Sequence, residues 1–89
     1  MPKGKVTKII DGDTLQVKGG TRIRLAGIDA PEKPRKGGIA ATNKLSALVK
    51  GKTISYSEDA FSYGRTVGEV KVGPKSVNKV MQKFLNKQK

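Results

Sequence analysis

The sequence predicts a small α+β domain, a five-stranded β-barrel with helices packed on it, in the order β-β-β-α-β-β-α. Three observations carry this. Short alternating stretches rich in Val, Ile and Thr fill the first third of the chain and recur beyond its middle. Two apolar stripes at helical spacing follow them. Glycines punctuate the joins. At 89 residues the chain has room for one modest core, so the expectation is one domain spanning residues 1–89.

Lys5–Ile10 is short and β-branched and reads as the first strand. Asp11-Gly12 follows as a turn. In Thr14–Lys18, Leu15 and Val17 share one side; in Thr21–Leu25, Ile23 and Leu25 alternate with Arg22 and Arg24. Gly19-Gly20 between these strands signals a hairpin. A two-residue loop sets Leu15 against Arg24. A three-residue loop, Gly19–Thr21, sets Leu15 against Leu25 and Val17 against Ile23. The second register is expected, because directly opposed residues share a face. Alternation then leaves Asp13 and Arg24 on opposite faces. A site that uses both needs a bulge or sharp bend near Gly12 or Gly27.

Ala30-Pro31-Glu32 leaves the sheet, with Pro31 holding Ala30 extended. Lys33–Gly38 reads as a flexible basic loop. Ile39–Lys50 is predicted as a helix, since Ala41, Leu45, Leu48 and Val49 recur at i, i+4, i+7 and i+8, and Gly51 stops it. Lys52–Ser57 is a strand, Glu58–Gly64 a turn, and Thr66–Val72 a strand ended by Gly73-Pro74. In Ser76–Lys87, Val77, Val80, Met81, Phe84 and Leu85 form a core stripe on a helix that Ser76 can cap.

The chain has no cysteine and no histidine, which excludes disulfide frameworks, zinc fingers, thiol nucleophiles and histidine acid–base catalysis. Any bound metal must take oxygen ligands, so calcium or magnesium is the natural choice. Nineteen Lys and Arg oppose seven acids, a net charge of +12 spread over every segment. Such a field points to a nucleic-acid partner held through its phosphates. No apolar run approaches the ~20 residues of a membrane span, so no membrane partner is expected. Met1–Lys8 is polar and carries no signal peptide; a cytoplasmic location is expected, or a secreted one if a leader has been removed.

Four of the seven acids, Asp11, Asp13, Asp29 and Glu32, lie at the two ends of one short segment. Acids clustered inside a basic chain suggest a cation site facing a polyanion. Asp13, Asp29 and Glu32 gather near one sheet end, with Arg24 on the strand between them. Tyr63-Gly64-Arg65 opens the last strand, and Lys33, Arg35 and Lys36 follow the acids. Phosphodiester hydrolysis needs these parts. A hard cation neutralises phosphate oxygens, and two aspartates with a main-chain carbonyl can hold it. A third carboxylate can orient or deprotonate water. Arginines clamp the phosphate and offset charge growing in the transition state. Each motif alone is commonly structural: Asp-Gly-Asp-Thr as a turn, Lys33–Gly38 as a solvated loop. Their conjunction and order carry the functional reading.

The chain resembles the staphylococcal nuclease (thermonuclease-like) family. The matching segments are Val6–Val17, Arg22–Glu32, Tyr63–Val70 and Ser76–Met81, in family order. The resemblance implies a five-stranded OB-fold barrel and Ca²⁺-dependent, sugar-nonspecific hydrolysis of DNA and RNA to 3′-phosphate products. By motif position it makes Asp13, Asp29 and the Ala30 carbonyl calcium ligands and Glu32 the base or water-orienting group. Arg24 and Arg65 become the phosphate clamp, and Tyr63 a contact to a terminal phosphate. Lys33, Arg35 and Lys36 add basic groups for substrate. Ala30 and Ser62 replace a threonine and a lysine of the family pattern, and the loop after Glu32 is shorter. The chain ends at Lys89, directly after its last helix, where the family usually continues, so it reads as a short member truncated at the C-terminus.

The alternative is an OB-type nucleic-acid-binding module with an inactive or weak nuclease site. With few aromatics to stack on bases, such binding would be mainly electrostatic. A monomer is expected, with a dimer or a swapped C-terminal helix as the assembly alternative.

Overall fold

The computed structural model describes residues 1–87. The last two residues of the predicted domain lie outside the described residues. The elements are β1 (Lys3–Asp11), β2 (Thr14–Val17), β3 (Arg22–Leu25), α1 (Gly38–Val49), β4 (Thr53–Tyr56), β5 (Ala60–Ser62), β6 (Arg65–Gly68), β7 (Val70–Val72), β8 (Lys75–Ser76) and α2 (Val77–Lys87). The strands form one sheet in the order β5-β6-β3-β2-β1-β4-β7-β8.

This sheet closes on itself. β6 and β7 are consecutive pieces of the strand expected at Thr66–Val72, interrupted at Glu69. β6 pairs in parallel with β3, while β7 pairs antiparallel with β4. One bent segment thus joins both ends of the β3-β2-β1-β4 run. The predicted five-stranded, OB-like barrel is this closed circuit, with β5 and β8 as short additions. β5 lies inside Glu58–Gly64, where the sequence predicts a turn.

Alternation places the core inside the barrel. Leu15, Ile23, Leu25, Ile54 and Val70 are fully buried, joined by Leu45 of α1 and Met81 of α2. Burying each such side chain contributes roughly 1.5–3 kcal/mol. Val77 and Met81 of the α2 stripe are core, whereas Val80, Phe84 and Leu85 are half-buried. Lys79 N–H donates to Ser76 Oγ at 3.3 Å, which fits the expected cap.

The β2–β3 register corrects the expected one. Leu15 faces Ile23, and Thr14 faces Arg24, a shift of two residues. A shift of two keeps every side chain on its face, so the core constraint is equally satisfied. Turn chemistry decides between the registers. The loop is Lys18-Gly19-Gly20, with Gly19 at φ +99° and Gly20 at φ +93°. The expected Gly19–Thr21 loop would place β-branched Thr21 in the last loop position, which favours a left-handed residue.

Candidate active site

The β1–β2 connection builds the first half of the site. Asp11 faces Thr14, so the turn is Gly12-Asp13, one residue later than expected. Asp13 sits in the turn and escapes strand alternation, which resolves the opposite-face problem. Gly12 is required by close approach: a Cβ there would lie 2.5 Å from the Ala41 Cβ and 2.9 Å from the Ala30 Cβ. The turn is therefore pressed against α1 and against the segment that carries Asp29.

Asp13 is buried and tied down. Its Oδ2 accepts the Ala30 N–H at 3.1 Å, and its Oδ1 accepts the Thr14 hydroxyl at 2.9 Å. Arg24 projects from the same face as Thr14. Its Nη2 lies 3.6 Å from Asp13 Oδ2 and 3.7 Å from Asp29 Oδ1. The side chain of Asp29 is 97% exposed, that of Asp13 10%. One guanidinium thus bridges a buried and an open carboxylate. Arg65, the first residue of β6, donates from Nη1 to Thr14 Oγ1 at 3.4 Å.

Glu32 follows Pro31. Two hydrogen-bonded turns come next, Arg35 N–H to the Glu32 carbonyl and Gly38 N–H to the Arg35 carbonyl, each at 2.9 Å. The loop expected to be flexible is thereby folded back, and Arg35 returns to Glu32. Asp11, Asp13, Arg24, Asp29, Ala30, Pro31, Glu32, Arg35 and Arg65 together line one open cleft of about 490 Å³. Lys33 and Lys36 are exposed and outside its lining. Tyr63 is also outside it, 93% exposed, in the left-handed turn (φ +52°) between β5 and β6.

Two residues gained weight only from the structure. Asp11, read as part of a turn, lines the cleft. Asn78 of α2 is buried. Its Oδ1 accepts the Val70 N–H at 2.9 Å, and its Nδ2 donates to the carbonyls of Ala26 (3.0 Å) and Gly68 (3.3 Å). Asn78 thereby ties the helix to the strand break at Glu69 and to the turn leading into Asp29.

The cleft fits a hard cation in the chemistry of its donors. Two carboxylates converge on one positive group, and every donor is oxygen. Among the described residues no set of three acids stands close enough to hold a metal ion alone. A main-chain carbonyl and water would have to complete the shell.

A sequence model described as staphylococcal nuclease homologue matches residues 22–84. The chain belongs to the staphylococcal nuclease family. The family match contains Arg24, Asp29, Glu32 and Arg65, while Asp13 lies ahead of it. The chain is 41% identical over 73 residues to the "Uncharacterized endonuclease" of Escherichia coli, covering 75% of this chain and 46% of that protein. It is 39% identical over 72 residues to a micrococcal nuclease of Shigella flexneri, covering 76% and 41% respectively. A staphylococcal-like nuclease of Arabidopsis thaliana is 43% identical over 65 residues, covering 70% of this chain and 20% of its own. The chain spans about half the length, or less, of these relatives.

Proposed function

We propose that this chain is a metal-dependent nuclease that hydrolyses phosphodiester bonds of DNA and RNA. The observation that carries this is the double contact of Arg24 with Asp13 and Asp29, in a cleft that Glu32 and Arg65 also line. The nuclease names of the three relatives described above support the same reading.

Asp13, Asp29 and the Ala30 carbonyl would hold the cation, with Ca²⁺ as the expected ion. When bound, it neutralises phosphate oxygens and lowers the barrier to attack on a polyanion. The chain's own groups do the rest. Arg24 and Arg65 bind the phosphate from two strands and stabilise charge that grows on its oxygens. Glu32, exposed at the cleft rim, orients or deprotonates the attacking water. Arg35 adds positive charge to the cleft lining, and Tyr63, exposed in the β5–β6 turn outside that lining, contacts a terminal phosphate. Attack on phosphorus with departure of the 5′ oxygen leaves 3′-phosphate ends. No step needs histidine or cysteine.

Cleavage of plasmid DNA and single-stranded RNA in calcium, and its loss in EDTA and in folded Glu32→Gln, is the test. Equal inactivity of wild type and Glu32→Gln while both are folded would refute it. A second reading, binding without hydrolysis, is favoured by the other side of that contact: Arg24, 3.6 and 3.7 Å from the two aspartates, competes with a cation for them. Tight, salt-sensitive binding in EDTA with no hydrolysis on adding calcium would select it.

A further inference from the structure

We propose that Lys8, Gln16 and Arg22 form a phosphate-tracking row beside the cleft, which grips the backbone of single-stranded nucleic acid beyond the scissile position. The proposal rests on the nucleic-acid reading above and extends it to a site outside the cleft lining.

Strand register places these residues together. Lys8 faces Gln16 across β1–β2, and Gln16 faces Arg22 across β2–β3. β3 pairs in parallel with β6, Ile23 beside Thr66, so one step back Arg22 lies beside Arg65. Directly paired residues share a face. Ile23 and Thr66 are buried, so Arg22 and Arg65 face outward. The result is a continuous row, Lys8–Gln16–Arg22–Arg65, running across four strands and ending on the phosphate clamp. At ~4.8 Å per strand it is about 14 Å long. It lies two residues, or about 7 Å, along the strands from the row of Thr14 and Arg24.

Lys8 is in the row because β1 is irregular. Val6 is buried against Val17, and plain alternation would turn Lys8 into the core. A register shift between Val6 and Lys8 brings Lys8 outward and keeps Ile9 packed on the core. Lys8 and Arg22 are exposed, and among the described residues neither has an ion-pair partner. Gln16 between them supplies a neutral amide that can donate to a phosphate oxygen. The row contains no acid, unlike the adjoining cleft. Arg65 is shared, so a strand seated at the clamp can continue onto the row.

The test is fluorescence-anisotropy titration of a labelled oligothymidylate of about 12 nucleotides in EDTA, from about 50 to 200 mM salt. The variants are Lys8→Ala/Arg22→Ala, Gln16→Glu, and Lys79→Ala/Lys83→Ala, the last removing equal charge from α2. The row pair is expected to bind about tenfold more weakly at low salt. Its log–log salt slope should be shallower by about 1.4, two contacts at ~0.7 each. Gln16→Glu is expected to weaken binding as well, and the α2 pair to stay near wild type. In calcium, kcat/KM should fall for the long oligonucleotide relative to a dinucleotide. Loss of binding by the α2 pair equal to that of the row pair would overturn the row in favour of a uniform field. Wild-type binding by folded row variants would also overturn it. The anisotropy arm needs no hydrolysis, so an inactive wild type would refute the nuclease reading while leaving the row supported by its binding losses.

Discussion

Asp13 Oδ2 accepts the backbone N–H of Ala30 at 3.1 Å, joining the β1–β2 turn to the segment that carries Asp29 and Glu32. The carboxylate therefore has a structural use beside the cation-holding one proposed for it, and substitution can separate them. Asp13→Asn keeps an oxygen for the Ala30 N–H and removes the charge opposite Arg24. It is expected to abolish calcium-dependent cleavage while unfolding near wild type. Asp13→Ala leaves a buried N–H unsatisfied and is expected to cost a further ~1–3 kcal/mol. Urea unfolding of both variants, beside cleavage assays, checks the separation.

Tyr63 occupies a left-handed conformation (φ +52°) followed by Gly64 at φ +74°, in the two-residue turn between Ser62 and Arg65. Asparagine tolerates this geometry better than tyrosine. Tyr63 is 93% exposed and loses little packing on replacement. Tyr63→Asn is expected to raise stability by about 0.5–1 kcal/mol. If the ring contacts a terminal phosphate, the same variant binds 3′- or 5′-phosphorylated oligonucleotides more weakly. A thermal melt and a binding titration read the two effects.

Asn78 makes three hydrogen bonds beyond its own helix from one buried side chain. Asn78→Ala is expected to destabilise by at least about 2 kcal/mol, with an unchanged m-value. Asn78→Asp keeps the acceptor for Val70 but sets a carboxylate against the carbonyls of Ala26 and Gly68. It should do no better than alanine. Full stability of Asn78→Asp would show that the Nδ2 contacts contribute nothing.

Asn78 also marks where sequence reading stops. Between Val77 and Val80 it reads as the polar side of an amphipathic helix, and its partners are up to 52 positions away. Nothing local announces them. By contrast, Leu15, Val17, Ile23 and Leu25 declared their common face through alternation alone, and the structure buries all four. What alternation could not fix was the register, since shifts of two preserve the faces and only the left-handed glycines choose between them. The division of Thr66–Val72 at Glu69 was equally hidden, because barrel closure, not local propensity, demands it. In the site, the carboxylate cluster and both arginines were visible as residue types with order and spacing. Their convergence was not: it depends on Asp13 leaving its strand in a turn that Gly12 alone can pack against Ala41 and Ala30. The place of Arg35 in the cleft lining, and those of Lys33 and Lys36 outside it, likewise follow from loop hydrogen bonds that composition does not encode, and the outlying position of Tyr63 from the left-handed β5–β6 turn.

The proposed phosphate clamp allows a graded prediction. Arg65 reaches Thr14 from β6, whereas Arg24 is held between two carboxylates. Arg65→Lys keeps the charge but loses the planar fork, and is expected to lower kcat by about 10²–10³ with little change in stability. Steady-state cleavage with a melting curve checks it.

The most direct measurement is single-turnover cleavage of a 5′-labelled single-stranded oligonucleotide over a calcium titration, with end-group determination of the products. Wild type should cleave with a rate that saturates in calcium, stop on EDTA addition, and leave 3′-phosphate ends, while folded Asp13→Asn and Glu32→Gln remain inactive. Equal cleavage by wild type and Glu32→Gln, or a rate indifferent to EDTA, would contradict the account.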